Sequence, residues 1–504
     1  MQLISKILKS KEGYILLIVA LLSFYFYNSS TSSEKFNSLE TFYSQELSWN
    51  SCYDYFECST LKVPIDYESI ETGSFDIAVL RYPAEDQANR IGSLIVNPGG
   101  PGASGVNYAY NAEYIFSPDI LEKYDIVGFD PRGVSGSEPI ICFTAEETDK
   151  NFASDSKIDN AAELAGTIKD TKAFIQKCQD RNDHLTAFST ANAARDMDIL
   201  RAAVGDSKLN YMGKSYGTYM GALYAQLFPD KIGRVVLDGA VDPSISNFEQ
   251  TMAQTVSFDN ALAAFIKDCA RQRKCPLPAN QKDATNAIIS LLATTAKQPL
   301  PQKFSPRDKR ELTESLMVIG MASALYDSEG GWPELRTAIS EALNGYGDTF
   351  MILADQYTGR QKDGTYPDNE FDSGAIISCL DFEDTRTVEQ IKSDAAKIAA
   401  AAPIFGPYLG YGGLTCKYLE ASEPVVVTTT KTSAPIVIIG TTGDPATPYA
   451  WSVGLHKLLT NSQLLTFVGD GHTGQGRGNA CVDDAIDRYY LRGILPATDL
   501  RCTA

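Results

Sequence analysis

A serine, an aspartate and a histidine, each in a setting suited to nucleophilic catalysis, lie at positions 215, 444 and 472 of the chain. Ser215 is the centre of a Gly-Lys-Ser-Tyr-Gly motif, residues 213–217, between a short apolar strand and a helical pattern. A serine on such a tight turn has strained backbone angles and needs small neighbours. The turn also directs the first N–H groups of the helix towards a developing oxyanion. The motif therefore predicts a serine nucleophile.

Three histidines are available as the base for this serine: His184, His456 and His472. His472 lies in a glycine-rich loop, residues 468–474, directly after the last predicted strand. His184 lies far upstream and His456 falls within a helical pattern, so we interpret both as structural or surface residues. The loop also contains Gly-x-Gly-x-x-Gly, but too little chain follows it to form a dinucleotide-binding unit. We therefore predict His472 as the base.

A carboxylate is needed to hold the histidine in the correct tautomer. Asp444 follows the predicted strand 435–440 and is the predicted partner of His472. Asp242 and Asp238, which follow an earlier strand, are its competitors.

A second glycine-rich loop, residues 98–105, follows the apolar strand 92–97. Its backbone N–H groups are suited to bind a phosphate or an oxyanion. A phosphate loop would end in Gly-Lys-Ser or Gly-Lys-Thr, which is absent here. Since Pro101 has no N–H, we predict Gly99 and Gly100 as oxyanion donors, together with Tyr216.

The order of the predicted elements indicates an α/β fold with a mostly parallel central sheet and helices on both faces. Residues 246–432 are helix-rich and show no strand-helix alternation, which indicates a helical cap inserted into the parent fold. The core is then formed by residues 50–245 and 433–504. In such a sheet the functional groups cluster at the carboxyl ends of the strands. The predicted strands are residues 60–67, 74–82, 92–97, 124–129, 209–213, 234–237, 435–440 and 463–468.

The charge balance excludes some partners. The chain has 44 Lys and Arg against 63 Asp and Glu, a net charge of −19 without a basic stripe. This argues against nucleic acid and against an anionic membrane surface. Three lysines precede an apolar run at residues 14–27, so residues 1–33 are predicted to be a signal peptide or an uncleaved signal-anchor. Either one exports the body of the protein, and the anchor would attach it to a membrane.

Ten cysteines, an even number in an exported chain, predict disulfides. Without a Cys-x-x-Cys motif and with three histidines, no metal site is expected. We expect each cysteine to pair with its neighbour along the chain: Cys52–Cys58, Cys142–Cys178, Cys269–Cys275, Cys379–Cys416 and Cys481–Cys502.

Five motifs together resemble those of α/β-hydrolase peptidases, nearest to the secreted tripeptidyl aminopeptidases and the proline iminopeptidases. The chain order of Ser215, Asp444 and His472 is also the one expected of α/β-hydrolases. The resemblance covers most of residues 50–504. Many prolyl aminopeptidases carry His-Gly-Gly-Pro-Gly in the first loop, whereas here Asn97-Pro98 precede the two glycines. This difference favours the tripeptidyl branch. The motifs are residues 97–102, 130–133, 213–217, 443–448 and 471–472.

The resemblance implies an α/β-hydrolase fold and a serine exopeptidase that trims short peptides from free N-termini, without a metal or cofactor. Such an enzyme needs an acid for the substrate ammonium. Asp381 and Glu383 are the candidates, and a solvated acidic turn beside a disulfide is the competing interpretation. A proline iminopeptidase, an exported carboxylesterase or lipase with the same triad, and a non-enzymatic binding scaffold are the alternatives.

Overall fold

The computed structural model describes residues 36–305, 307–419 and 425–504. The predicted signal peptide or signal-anchor, residues 1–33, lies outside the described residues. Within the described part of the chain, no helix combines the length and the apolar character needed to cross a membrane.

One ten-stranded sheet forms the centre of the molecule, in the order β1-β2-β3-β5-β4-β6-β7-β8-β9-β10. The first three neighbouring pairs are antiparallel and the other six, from β5–β4 to β9–β10, are parallel. The strands are β1 Asn50–Cys52, β2 Phe56–Pro64, β3 Ser74–Tyr82, β4 Gly92–Asn97, β5 Tyr124–Phe129, β6 Leu209–Lys214, β7 Ile232–Asp238, β8 Ile436–Gly443, β9 Ser462–Asp470 and β10 Arg501–Thr503.

The described helices lie on both faces of the sheet and in the segment between β7 and β8. In chain order they are α1 Leu39–Tyr43, α2 Gly105–Tyr110, α3 Ala112–Ile115, α4 Pro118–Lys123, α5 Ala145–Ala153, α6 Ala161–Arg181, α7 Thr190–Ala203, α8 Gly217–Leu227, α9 Asn247–Cys269, α10 Gln281–Lys297, α11 Glu314–Leu325, α12 Gly331–Leu343, α13 Asp348–Thr358, α14 Glu370–Asp381, α15 Val388–Ala401, α16 Gly406–Leu409, α17 Gly413–Tyr418, α18 Tyr449–Leu458 and α19 Ala480–Arg492.

The central strands are buried on both faces because side chains alternate between two cores. Every residue of β4 and β5 is buried. In β6, Tyr211 packs with helices α7 and α8, whereas Met212 packs with α2, α4 and α19 on the opposite face. This explains why these strands appear in the sequence as continuous apolar runs. The mostly parallel sheet with helices on both faces that the sequence predicts is confirmed.

Residues 246–432, which we call the helical insertion, carry helices α9 to α17. Much of the insertion packs around a core of its own, which includes Phe265, Met317 and Phe350. Helix α14 differs, because its residues Ile376 and Leu380 join the core on the α7–α8 face of the sheet. The insertion is therefore joined to the sheet through α14. The division into a core and a cap is consistent with this arrangement and stays an interpretation.

All five cysteine pairs expected from the sequence are disulfides in the structure. Two of them fix pieces next to the central fold: Cys379–Cys416 joins α14 to α17, and Cys481–Cys502 joins α19 to the edge strand β10. The short strands β1 and β10 were not predicted. Three residues are too few to show a periodic pattern, so only pairing with a longer strand defines them.

Candidate functional site

Ser215 lies between β6 and α8, on a turn that only small neighbours permit. Its φ angle is 53°, a left-handed conformation that costs free energy in a residue other than glycine. A Cβ atom at Gly213 would lie 2.4 Å from the carbonyl oxygen of Gly217, and one at Gly217 would lie 2.7 Å from Asn97 Oδ1. The two glycines of the motif are thus required by close backbone approach. The turn presents Ser215 at the carboxyl end of the sheet.

His472 and Asp444 are in direct contact at the same edge of the sheet. His472 Nδ1 lies 2.9 Å from each carboxylate oxygen of Asp444. The Asp444 side chain is fully buried, while that of His472 is 11% exposed. Such a contact fixes the ring orientation and leaves Nε2 free to accept a proton.

The Asp444 carboxylate is surrounded by donors other than the histidine. The backbone N–H groups of Ala446 and Thr447 donate to Oδ1 at 2.9 and 2.8 Å. The Thr447 hydroxyl and the N–H of Thr473 donate to Oδ2 at 3.0 and 3.1 Å. Hydrogen bonds to a carboxylate favour its ionised form, which is the form that orients an imidazole.

The helical insertion contributes to the position of His472. The backbone N–H of His472 donates to the carbonyl oxygen of Tyr326 at 2.8 Å. The Tyr326 ring also meets the imidazole edge-on, with 5.0 Å between ring centres. Sequence reasoning missed Tyr326, because no local motif shows that the end of α11 folds back onto the histidine loop.

Ser215 and His472 line the same cavity, but no hydrogen bond joins their side chains in this structure. Catalytic serine–histidine contacts are commonly long in a free enzyme and shorten when substrate binds. The arrangement is suited to acyl transfer, in which the serine attacks a carbonyl and the histidine carries the proton.

The loop that follows β4 faces the serine turn closely. A Cβ atom at Gly99 would lie 2.7 Å from the carbonyl oxygen of Lys214, so the loop passes directly above the end of β6. The N–H of Gly99 donates to Asn97 Oδ1 at 3.0 Å. The N–H groups of Gly100 and Tyr216, by contrast, have no hydrogen-bond partner in the described part of the chain. Of the three predicted oxyanion donors, these two are the available ones.

The competing acids and histidines have other partners. Asp238 accepts the N–H groups of residues 474 and 475. Asp242 accepts the N–H and hydroxyl of Ser244. His456 Nδ1 lies 2.8 Å from Ser462 Oγ, and His184 is exposed in a left-handed turn.

Two cavities meet at Ser215. The large cavity, of about 700 Å³, is lined by residues of both the core and the insertion. The small cavity, of about 360 Å³, lies on the side of Tyr216 and has carboxamide, hydroxyl and indole groups in its wall. The large cavity includes Phe152, Ser215, Tyr326, Tyr357, Glu370, Phe371 and His472, and the small one includes Ser215, Tyr216, Gln250, Gln254, Thr447 and Trp451.

Glu370, the first residue of α14, places a carboxylate in the large cavity beside the Gly100 loop. Its Oε1 lies 3.4 Å from the position that a Cβ atom at Gly100 would occupy. The residue is exposed to solvent on the side of the cavity. Desolvation of its carboxylate by the surrounding protein, with a smaller effect of Asp368, raises the pKa of Glu370 to about 7. Its carboxylate forms no hydrogen bond or ion pair with any described residue. It is therefore available to a cationic ligand.

The structure does not bring the two acids predicted from the sequence to Ser215. Asp381, at the end of α14, is buried and accepts the N–H of Thr190 at 2.9 Å and the Thr190 hydroxyl. It lines a separate cavity of about 630 Å³ on the other side of α14. Burial raises the pKa of Asp381 to about 7. Glu383 is exposed and lines neither cavity at the serine.

Sequence reasoning missed Glu370 although it lies eleven residues before Asp381. The first turn of α14 carries acids as well, Glu370 and Asp372. The sequence does show acids at both ends of this 12-residue helix. The two ends contact different neighbours, so an acid at either end could have faced Ser215. No group of three or more His, Cys, Asp or Glu side chains in the described residues is arranged to hold a metal ion.

A comparison with protein families identifies the fold. Residues 92–478 match the model of the α/β hydrolase fold. This range includes the Gly100 loop, the serine turn, Asp444 and His472.

The chain is also similar to several curated proteins along nearly their whole length. It is 34% identical over 457 residues to the serine protease Hip1 of Mycobacterium tuberculosis, covering 88% of this chain and 87% of that one. It is 38% identical over 485 residues to a carboxylesterase B of the same species, with coverage of 90% and 89%. It is 30% identical over 461 residues to a tripeptidyl aminopeptidase of Streptomyces lividans, with coverage of 88% and 83%.

Proposed function

We propose that this protein, a serine hydrolase that belongs to the α/β hydrolase fold family, is an exopeptidase. The proposed reaction releases short peptides from free N-termini. The observation that carries the proposal is the unpaired carboxylate of Glu370 in the cavity of Ser215 and His472. An ammonium group is the cation that every unblocked peptide offers. A carboxylate that binds it would select free N-termini over internal peptide bonds.

In the proposed mechanism, Ser215 Oγ attacks the scissile carbonyl while His472 Nε2 takes the hydroxyl proton. Asp444 orients the imidazole and stabilises the imidazolium ion that forms. The N–H groups of Gly100 and Tyr216 stabilise the oxyanion. His472 then gives its proton to the leaving amine, and water releases the acyl group by the same steps in reverse.

The tripeptidyl form of the activity is favoured over a single-residue aminopeptidase by the size of the site. Three extended residues span about 10 Å, and the large cavity of about 700 Å³ is lined by both Glu370 and Ser215. The relative named tripeptidyl aminopeptidase supports the same choice. A proline iminopeptidase would use the same catalytic groups.

Export of the enzyme is part of the proposal. Five disulfides are typical of proteins that fold in an oxidising compartment. Peptides outside the cytoplasm are then the substrates. Cell fractionation with an antibody tests this step, and recovery of the protein in the cytoplasm would contradict it.

A carboxylesterase is the second candidate, because a relative with that name is 38% identical to this chain. The two candidates differ in whether an amide is cleaved and whether a free amine is required. Ala-Ala-Pro-arylamide, free and N-acetylated, should therefore be assayed beside Pro-arylamide and a p-nitrophenyl ester.

We expect the purified protein to cleave the free tripeptide arylamide and to lose most of this activity on the acetylated one. Ser215→Ala should abolish the activity. Glu370→Gln should raise KM for the free peptide by about 10- to 100-fold, since a hydrogen bond to a charged group contributes about 1.5 to 3 kcal/mol. The ester should be cleaved equally by both forms of residue 370.

Glu389→Gln is a matched control, since Glu389 is exposed in the first turn of another helix of the insertion. Cleavage of the ester alone would assign the protein to the carboxylesterases. Cleavage of Pro-arylamide alone would indicate an iminopeptidase. Full activity of Ser215→Ala would refute the mechanism.

A further inference from the structure

We propose that Asp238 and Lys214 are positioning residues that fix the histidine loop to the serine turn. This inference rests on the proposed roles of Ser215 and His472. It adds two residues that lie outside the triad and the oxyanion donors.

The first observation is that all four consecutive N–H groups of residues 472–475 have a specific acceptor. The first two donate to the Tyr326 carbonyl oxygen and to Asp444. The next two, Gly474 and Gln475, both donate to the Asp238 carboxylate, at 2.9 and 2.8 Å. Half of the backbone donors that hold the base in place therefore end on one buried side chain.

Lys214 holds the same peptide from the other side. Its Nζ donates to the carbonyl oxygen of Gln475 at 2.7 Å, while Asp238 accepts the N–H of Gln475. Lys214 and Asp238 are direct partners in the parallel pair of β6 and β7. A neighbouring pair of charged residues on two central strands thus binds both polar groups of one loop residue.

Both residues are also connected to the nucleophile. Lys214 immediately precedes Ser215, and the backbone N–H of Ser215 donates to the carbonyl oxygen of Asp238 at 2.9 Å. Asp238 thus contacts the serine through its backbone and the histidine loop through its side chain. Because the serine–histidine distance decides the rate of proton transfer, a displacement of about 1 Å can lower the rate about 100-fold.

The charges around Asp238 come from several elements. Lys214 of β6 and His472 of the loop favour its ionised form, although full burial raises its pKa. Tyr108 of α2 lies beside Lys214 and interacts electrostatically with Asp238. On the outer side, Asp483 of α19 accepts the N–H of Gly476 and lies near Lys214. An acidic and a basic side chain from two neighbouring strands thus lie between the serine turn and the histidine loop.

Asp238→Asn and Lys214→Met in the full-length enzyme test the proposal. We expect kcat to fall about 10- to 100-fold with KM changed less than threefold, and the rate of fluorophosphonate labelling of Ser215 to fall in parallel. A neutral p-nitrophenyl ester should be used, since it does not depend on Glu370. These readouts also keep their meaning if the enzyme proves to be an esterase instead of a peptidase.

The split between kcat and KM separates positioning from a purely structural role. Neither Asp238 nor Lys214 lines the cavities at Ser215, so a displaced serine–histidine pair should lower kcat and the labelling rate while KM stays nearly unchanged. A variant that merely loosens the fold should instead lose active enzyme, which titration of the reactive serine measures.

Asp259→Asn is the matched control, because Asp259 also accepts two consecutive backbone N–H groups, those of Ile404 and Phe405, but within the insertion. Circular dichroism and thermal melting identify a variant that does not fold. If one of Asp238→Asn and Lys214→Met fails to fold, the other one tests the proposal. The proposal is overturned if the folded variants match the control in kcat and in the rate of fluorophosphonate labelling.

Discussion

At the residue scale, three buried or enclosed acids near the site differ in what their surroundings offer. Asp444 receives several N–H and O–H donors besides His472, and these hold its carboxylate in one orientation. Asp381 receives only Thr190 and its pKa is raised to about 7. Glu370 receives no donor from the described residues and has a similar pKa. The hydrogen-bond donors around each carboxylate, more than the residue type, therefore distinguish an acid that orients a histidine from an acid that is available to a ligand.

The raised pKa of Glu370 leads to a prediction about pH. Glu370 is neutral below about pH 7 and charged above it, and only the charged form attracts an ammonium group. We expect kcat/KM for a free tripeptide arylamide to rise with pH through about 7 more steeply than for its N-acetylated ester analogue. Glu370→Gln should remove the additional rise and Glu389→Gln should keep it. Identical profiles for the two substrates in the wild-type enzyme would contradict this role.

Thr447 offers a second test at this scale. Its hydroxyl donates to Asp444 Oδ2 at 3.0 Å and lies 3.4 Å from His472 Nδ1. Thr447→Val retains the shape but removes the donor, at a cost of about 1 kcal/mol. We expect kcat to fall about fivefold to tenfold, with a smaller change in KM, in steady-state assays. Thr442→Val is the control, since the Thr442 hydroxyl contacts only the backbone of Gly469.

At the scale of elements, the contact between α14 and the Gly100 loop connects the insertion to the oxyanion donors. A Cβ atom at Gly102 would lie 2.4 Å from Ser373 Oγ, and one at Gly374 would lie 2.7 Å from the carbonyl oxygen of Pro101. Asn369 and Asp372 fix the same end of the helix to residues 133–143 of the core. The helix that carries Glu370 therefore also supports the loop that carries Gly100.

Gly374→Ala tests this contact. The added methyl would meet a backbone oxygen, and overpacking of this kind costs about 1 to 3 kcal/mol. We expect lower thermal stability together with a loss of kcat/KM of tenfold or more, because the loop must shift. Gly166→Ala is the control, since Gly166 lies inside α6 with no atom within 4 Å of a Cβ position. That variant should retain activity and gain up to about 1 kcal/mol of stability.

The sequence allowed a mostly parallel sheet to be predicted. It also allowed Ser215, Asp444 and His472 to be proposed as a triad, because each lies in a short motif that follows an apolar strand. It did not identify the acid in the large cavity. Glu370 and Asp381 occupy opposite ends of one helix, and tertiary packing alone decides which end faces Ser215. The choice between Gly99 and Gly100 likewise depended on the side chain of Asn97, which occupies the N–H of Gly99.

At the scale of the whole molecule, stability depends on acids that are buried without a cation. The folded-state pKa of Asp381, about 7, exceeds its ordinary value of 3.8, so the folded protein binds the proton more tightly than the unfolded chain. The stability that this proton provides is complete below about pH 4 and is lost as the pH rises through about 7.

Asp381→Asn should therefore flatten the dependence of stability on pH. We expect the Asp381 contribution to lower the free energy of unfolding by about 2 kcal/mol between pH 5 and pH 8, and the variant to lack this decline. Urea unfolding at the two pH values measures the difference. If the free energy of unfolding declines equally in Asp381→Asn and in the wild type, the decline arises from other groups and the prediction is wrong. Glu383→Gln is a control, because that acid is exposed.

The carbonyl of Tyr326 that holds the backbone of His472 limits how this protein can have diversified. Tyr326 belongs to the helical insertion, which also lines the large cavity. The same segment therefore shapes the cavity and positions His472. A graft of this segment from a relative with another substrate preference would have to place a backbone carbonyl at the same position to hold His472. Recombination at the borders of the insertion should give few active chimeras, whereas point changes in the cavity wall should alter preference and leave the turnover machinery intact.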